Sequence, residues 1–466
     1  MKNQKFHFVG ICGTAMGNVA AAMQQAGFEI TGSDANVYDP MKGFLESRDI
    51  RLTEGYSADN IPEDVDTIVI GNAISRGNPE AEAVLNSRKL YMSLPEALKN
   101  YLLRGKTNLV VTGTHGKTTT SSLLTWILKD SGRDPGWLIG GIPTNLEQGC
   151  NFNQSEHVVL EGDEYDTAFF DKRSKFLHYL PSIVIINNIE FDHADIYDSL
   201  EQIQLSFRRL VNVIPGNGAL FVNGDEQNCL DVVSDAFCPV TTVGLGDENS
   251  VQITSIDYQP ESSSFTVEGE DYQLPMVGEF NVRNAAMAVC AARQAGVSPN
   301  ECRAALLKFD GIARRQEVKG VVNGRTIIDD FAHHPTAIDL AIKALRQKFP
   351  NQKLWVVFEP RSNTTRRNVF QDQLVDALKS ADAVVLPTIP NLDKVPEKER
   401  LDVDKLLSNL RSTGCDTSYL TCVDEIVEHL CEKSEEGDVI AVLSNGGFDN
   451  IHNLLLERLA AVPAGV

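Results

Sequence analysis

Apolar residues recur along this chain with two periods. Strands are predicted at 6–11, 29–34 and 67–72, the first and last of them short, largely apolar runs. Between the first two, apolar positions three and four apart predict an amphipathic helix over 14–26. Such β–α alternation implies a parallel sheet covered by helices. The signature restarts after Arg104-Gly105-Lys106, with a strand at 108–112, a helix at 117–131 and strands at 157–161 and 182–188. Pro215-Gly216-Asn217-Gly218 is a strong turn signal. From Val251 to Val277 the rhythm changes to short alternating runs between polar turns, which predicts an antiparallel patch. A helix over 282–295 is expected to close this second unit. From near Arg314, strands at 326–331, 353–358, 382–387 and 438–443 alternate with helical stretches and again read as parallel α/β.

The predicted class is therefore α/β in three domains. Residues 1–106 form a Rossmann-like unit. Residues 107–313 form a P-loop ATPase unit whose mostly parallel sheet carries a small antiparallel patch. Residues 314–466 form a second Rossmann-like unit. The closing AAVPAGV is expected to fray.

Composition narrows the function. At 466 residues there is room for about three domains. The 42% hydrophobic and 23% charged make-up is that of a globular chain. The net charge, 42 − 64 = −22, argues against general binding to nucleic acid or anionic lipid. It leaves room for a local cationic pocket. No run approaches 18 apolar residues, and MKNQKFHFVG is too short and mixed for a secretory leader. The nine cysteines are scattered, with no CxxC pair, as expected for thiols in a reducing cytoplasm.

The most informative segment is Val111-Thr112-Gly113-Thr114-His115-Gly116-Lys117-Thr118-Thr119. An apolar strand feeds a glycine turn, and Lys-Thr opens a helix. Glycines let backbone N–H groups wrap phosphate oxygens, and the helix N-terminus adds partial positive charge. Lys117 can reach outer phosphates, and the Thr118 hydroxyl can ligate Mg²⁺. The match is imperfect, since the motif calls for glycine at position 111. Two later strands end in candidate metal ligands. Glu161-Gly162-Asp163-Glu164-Tyr165-Asp166 offers carboxylates, some of which could instead cap a following helix. Ile189-Glu190-Phe191-Asp192-His193 offers an imidazole, although Mg²⁺ prefers oxygen. At the amino terminus, Gly10, Gly13 and Gly17 follow a strand and open a helix, and Asp34 ends the next strand. The spacing departs from the dinucleotide pattern G-x-G-x-x-G. A phosphate-bearing ligand at the Gly13–Thr14 turn and simple helix–strand packing both fit.

Taken together, these motifs resemble the Mur ligases, ATP-dependent amide-forming enzymes of peptidoglycan metabolism. The resemblance runs through HFVGICGTAMG at 7–17, GTHGKTTT at 113–120, EGDEYD at 161–166, NNIEFDH at 187–193, EFNVRNAA at 279–286, GIARRQE at 311–317 and DDFAHHPT at 329–336. Further stretches at 71–80, 164–179, 359–364 and 443–448 resemble the branch that joins UDP-N-acetylmuramate to the murein tripeptide L-alanyl-γ-D-glutamyl-meso-diaminopimelate in peptidoglycan recycling. By this resemblance, ATP phosphorylates the sugar's lactyl carboxylate, and the peptide amine attacks the acyl phosphate.

The resemblance implies ATP and Mg²⁺ as cofactors and assigns roles residue by residue. Gly113, Thr114, His115, Gly116, Lys117, Thr118 and Thr119 would bind ATP, with Asn284, Arg315 and Asp330. Thr118, Glu161 and His193 would hold Mg²⁺. Gly13, Thr14, Ser33, Asp34 and Asn72 would face the UDP-sugar. His333 would sit near the amine, with Arg361 and Ser362 near the peptide carboxylates. The catalytic set would be Lys117, Glu161, His193 and His333. Phe280 stands where the family commonly has histidine, and the stretch 205–208 lacks the lysine that some relatives carbamylate. The 164–179 insert could line the peptide or sugar site or pack between domains.

Three rival functions stay open. One is a UDP-N-acetylmuramate–L-alanine ligase, another an NAD-dependent oxidoreductase built on the opening glycines, and a third a nucleotide-gated binding protein without ligase chemistry. Oligomeric state is open too, with a monomer among the options.

Overall fold

The structure, a computed structural model, describes residues 4–39, 41–194 and 196–461. Most of the final AAVPAGV segment lies outside the described residues. Three large sheets and one two-stranded hairpin organise the chain. The first is five-stranded and fully parallel, in the order Arg51–Glu54, Glu29–Asp34, Lys5–Val9, Thr67–Ile70 and Tyr91–Ser93. Its strand order reverses between Lys5–Val9 and Thr67–Ile70, which opens a crevice at the carboxyl ends of those strands.

The central sheet has ten strands. At its heart, Thr107–Thr112 is flanked by parallel partners His157–Glu161 and Pro181–Ile186. These strands are apolar on both faces because helices cover both sides. One edge is an antiparallel meander of Val251–Tyr258, Ser263–Val267 and Glu270–Leu274, the patch expected from the change of period. The third sheet has six strands and runs parallel except at one edge.

Two expectations need correction. Helix Glu279–Gln294 does not end the middle architecture, because helix Pro299–Leu306 follows it. Ser298 and Glu301 build a capping box there, and the carbonyl of Ala305 accepts the Trp126 indole N–H at 2.9 Å. The third sheet is not wholly parallel, since Glu317–Val322 pairs antiparallel with Arg325–Asp330 through a tight turn at Asn323-Gly324. A two-residue connection can join only antiparallel neighbours.

Strand ends also differ from the periodicity. The strands expected at 6–11, 67–72 and 182–188 stop at Val9, Ile70 and Ile186. Gly10, at φ +85°, turns the first one out of the ladder. The residues shed from these strands, including Asn72, Asn187 and Asn188, form the loops of the site.

Candidate active site

A single cavity of about 970 Å³ lies where the carboxyl ends of the three sheets converge. It is lined from the first unit by Gly13, Thr14, Asp34 and Asn72, from the middle by residues 114–119, Glu161, His193 and Asn284, and from the last by Arg315, Asp330, His333 and Ser362. Three expected residues do not line it. Ser33 is fully buried and donates its hydroxyl to Glu80. Gly113 turns beneath the cavity and offers its carbonyl to Lys117. Arg361 lies over Gly446, with its guanidinium 3.7 Å from Glu359.

The turn between strand Thr107–Thr112 and helix Lys117–Asp130 needs its glycines. Gly113 and Gly116 sit at φ +130° and +78°. A Cβ on Gly116 would lie 2.5 Å from Asn284 Oδ1, and one on Gly113 would press on the backbone of Asn188. The turn is held open by its neighbours. His115 N–H donates to Asn188 Oδ1 at 2.7 Å, and Thr114 N–H donates to the Asn188 carbonyl at 3.0 Å. Gly116, as N-cap, has no side chain to satisfy the first N–H groups of the helix, so these are free to face an anion.

Lys117 points back into this turn. Its Nζ donates to the carbonyl of Gly113 at 2.7 Å and to Glu164 Oε2 at 2.8 Å. Burial alone would pull its pKa down, but the charges of Glu164 and Asp163 outweigh burial and hold it above the usual lysine value. The side chain is thus a permanent cation beside a phosphate-sized turn.

The acids after strand His157–Glu161 divide into two sets. Glu161 Oε1 accepts from the Thr118 hydroxyl at 3.0 Å, and its Oε2 accepts from Gly140 N–H at 2.7 Å. Thr118 Oγ1 also lies 3.3 Å from Arg315 Nη2. His193 pairs with Glu164 instead, at 3.1 Å. Burial opposes its charged form, yet the Glu164 carboxylate raises its pKa overall. Ligand atoms of Asp163, Glu164 and His193 lie within 4.8 Å of one another. Beyond Gly162, which packs against the neighbouring strand, Asp163 and Glu164 face Lys117. A Cβ on Gly162 would be 2.6 Å from Thr112 Cγ2. No helix follows for these acids to cap, because the chain enters the hairpin Asp166–Ala168/Asp171–Ser174.

That hairpin belongs to the 164–179 insert, which both packs against the first unit and borders the cavity. Its tip packs on the first unit, with the Phe170 ring 5.0 Å from Tyr91. Its base, through Tyr165, Thr167, Lys175 and Tyr179, lines the cavity.

Asn284 accepts from the Thr120 hydroxyl at 3.1 Å, while its buried Nδ2 has no hydrogen-bond partner among the described residues. Such a donor costs free energy unless a ligand satisfies it. Asp330 serves the backbone, accepting from Gln316 N–H at 2.8 Å and Ala332 N–H at 2.7 Å. Burial raises its pKa. Burial likewise lowers that of Arg315, whose guanidinium lies 4.6 Å from the Phe331 ring centre. His333 Nδ1 lies 3.0 Å from the Phe331 carbonyl, and burial lowers its pKa.

At the first unit, Gly13 is the N-cap of helix Thr14–Gln25 and has no side chain to satisfy its first N–H groups. Asp34 accepts from Cys12 N–H at 2.9 Å and so braces the glycine turn. Asp163 and Glu164, candidate carboxylates in the sequence, pair here with Lys175, Lys117 and His193, whereas nothing in the sequence singles out Asn187 or Thr364. Thr364 donates to Asp192 Oδ1 at 3.0 Å and joins the middle and last units.

Comparison with known proteins gives a consistent result. Residues 5–105, 111–292 and 314–446 match, respectively, the Mur ligase family catalytic domain, the Mur ligase middle domain and the Mur ligase glutamate ligase domain. The chain is 41% identical over 460 residues to the UDP-N-acetylmuramate–L-alanyl-γ-D-glutamyl-meso-2,6-diaminoheptandioate ligase of Escherichia coli (strain K12), covering 98% of both chains. It is 31% identical over 451 residues to the UDP-N-acetylmuramate–L-alanine ligase of Endomicrobium trichonymphae, covering 96% of this chain and 97% of that one. Among solved structures, a murein peptide ligase from Psychrobacter arcticus 273-4 superposes with a TM-score of 0.72 at 34% identity, covering 98% of this chain and 99% of that one.

Proposed function

The chain belongs to the Mur ligase family, and from that premise we propose that it joins UDP-N-acetylmuramate to L-alanyl-γ-D-glutamyl-meso-diaminopimelate, with ATP cleaved to ADP and phosphate. The observation that carries this reading is the single cavity reached by a phosphate turn, an acidic cluster and residues of all three units. An oxidoreductase gives the Gly-Lys-Thr turn no task. A binding protein needs no buried cations aimed at a reacting phosphate. The alanine-adding reading shares the chemistry, but whole-chain identity favours the tripeptide relatives.

ATP's terminal phosphates would lie in the 113–118 turn, against its backbone N–H groups and Lys117. The unpartnered Asn284 Nδ2 offers a donor to the adenine. Arg315, from the last unit, brings a second cation within reach of the same turn. Negative charge grows on the transferring phosphoryl group and then on the tetrahedral carbon, so fixed cations are the main catalytic device. Thr118 and Glu161 form an oxygen donor pair that suits Mg²⁺, with His193 reaching the same region through Glu164. Mg²⁺ bound there would neutralise phosphate charge. The Gly13–Thr14 turn, Asp34 and Asn72 would face the uridine diphosphate. His333 and Ser362 line the wall from which the amine would approach, and neutral His333 could take a proton from it. We assign residues 1–106 to sugar binding, 107–313 to ATP and 314–466 to closure and peptide contacts, and place the enzyme in the cytoplasm.

The test is phosphate release with UDP-N-acetylmuramate present and either the tripeptide or L-alanine as amine. The tripeptide is expected to support turnover and L-alanine to support little. Preference for L-alanine would reassign the enzyme to the alanine-adding branch.

A further inference from the structure

Three side chains between the phosphate turn and the last unit take no part in the steps above. His115 Nε2 lies 3.0 Å from Glu190 Oε2 and 3.0 Å from His334 Nδ1, and the last two atoms are 3.3 Å apart. His115 belongs to the phosphate turn. Glu190 follows strand Pro181–Ile186, and His334 is the N-cap of helix Pro335–Lys348. The three therefore bridge the middle and last units.

Hydrogen bonding fixes what each atom can be. His334 Nε2 lies 3.2 Å from the Phe191 carbonyl, so that nitrogen carries the proton and donates it. His334 Nδ1 is then a lone pair, and it accepts the Thr336 N–H at 3.3 Å as part of the helix cap. Burial and the nearby His115 push the His334 pKa down to about 3, which keeps the ring neutral. Burial disfavours the charged form of Glu190, but the hydrogen bond with His115 more than offsets it and holds the carboxyl well below its usual range, so it is an anion.

Two acceptors thus face each other at 3.3 Å, and both face His115 Nε2 at 3.0 Å. One imidazole N–H can point well at only one of them. A divalent ion between the three would take a lone pair from each, replacing the His115–Glu190 hydrogen bond and the long 3.3 Å bond from Thr336 N–H to His334 Nδ1. For metal–ligand bonds of about 2.0–2.1 Å, a tetrahedral site has ligand–ligand edges of roughly 3.3–3.4 Å. The observed triangle is close to one face of that tetrahedron. The bond from His334 Nε2 to a backbone carbonyl is the outer-sphere contact that orients a metal-binding histidine.

We propose that His115, Glu190 and His334 form a transition-metal site that staples the phosphate turn to the carboxy-terminal unit. Two imidazoles and one carboxylate select zinc or a neighbouring first-row ion, whereas Mg²⁺ prefers an all-oxygen shell. The site is separate from the Asp163–Glu164–His193 cluster, which holds one imidazole. Because its ligands come from two units, an ion there fixes the closed arrangement.

The test uses the full-length protein stripped with chelator and then saturated with Mg²⁺. Zinc and cobalt(II) are titrated against a chromophoric chelator. Wild type is expected to bind one equivalent and to give the visible bands of four-coordinate cobalt. Glu190→Gln and His334→Ala are expected to weaken binding by at least the ~10–100-fold that loss of an outer-sphere partner costs. His193→Ala is expected to keep the equivalent. X-ray absorption of the zinc-loaded wild type should count two imidazoles, a readout that needs no variant to fold. Absence of the equivalent, a count of one imidazole, or loss in His193→Ala with retention in Glu190→Gln and His334→Ala would each overturn the proposal.

Discussion

Lys117 carries the largest share of the proposed chemistry on one side chain. It is held cationic by Glu164 and Asp163, and it reaches back to the carbonyl of Gly113. Lys117→Ala should lower ligation by at least about 10²–10³-fold, the scale of losing one preorganised charge-stabilising contact. UDP-sugar affinity by calorimetry should stay near wild type, since the Gly13–Thr14 turn belongs to another sheet. Near-normal turnover would show that the turn does not hold the transferring phosphate. Glu164 is the counterpart. It is 2% exposed and accepts from both Lys117 and His193. Glu164→Gln should destabilise the protein by about 3–5 kcal/mol, because a buried cation loses its partner. Urea denaturation with unchanged midpoint would refute this. The Gly-Lys-Thr turn was legible in the sequence because its chemistry is local. The pairing of His193 with Glu164 was not, because the two residues follow different strands, His157–Glu161 and Pro181–Ile186, and meet only through tertiary packing.

At the scale of elements, period and turn chemistry predicted the parallel strands, the antiparallel patch and the phosphate-turn helix. They misplaced strand ends where the chain leaves a ladder to build the site. Hydropathy marks burial, and Asn187 is buried like a strand residue although it hydrogen-bonds to Thr120. Asp225 illustrates a tertiary brace that no local pattern announces. Its carboxylate accepts from Leu245 N–H at 2.6 Å, Gly246 N–H at 2.9 Å, Asn249 Nδ2 at 2.8 Å and Arg283 Nη1 at 2.5 Å. It ties the turn before strand Val251–Tyr258 to helix Glu279–Gln294. Burial would raise its pKa, but these donors prevail and hold it at about 2, against 3.8 ordinarily. A lowered carboxyl pKa contributes stability that is present above the unfolded value and is lost as pH falls through the folded one. Asp225→Asn should therefore cost about 2 kcal/mol at neutral pH. The gap to wild type in urea denaturation should narrow as pH drops from about 4 toward 2. A gap that stays constant with pH would mean that the charge of Asp225 is irrelevant.

For the whole molecule, the three units contribute walls to one cavity, so the reaction proposed here depends on closure. An acyl phosphate is open to water, and excluding water is what closure accomplishes. Part of the seam is built from Thr364, which is 2% exposed. It donates to Asp192 Oδ1 at 3.0 Å and lies 3.3 Å from Ala194 N. Asp192 is buried, yet the charge of His193 and the hydrogen bond from its backbone N–H overcome that burial and keep the Asp192 pKa far below the usual carboxylate range. Thr364→Val keeps the volume but leaves the Asp192 carboxylate short of a donor, at about 1–3 kcal/mol. Because the penalty falls only on the closed arrangement, its population should drop by roughly five- to a hundredfold relative to open. The sugar site, the phosphate turn and their ligands are untouched. The expected phenotype is therefore uncoupling rather than loss of binding. With all three substrates present, phosphate released per amide formed should rise above one in Thr364→Val, while wild type stays near one. A variant that slows both in proportion would mean that this seam governs speed without shielding the intermediate from water.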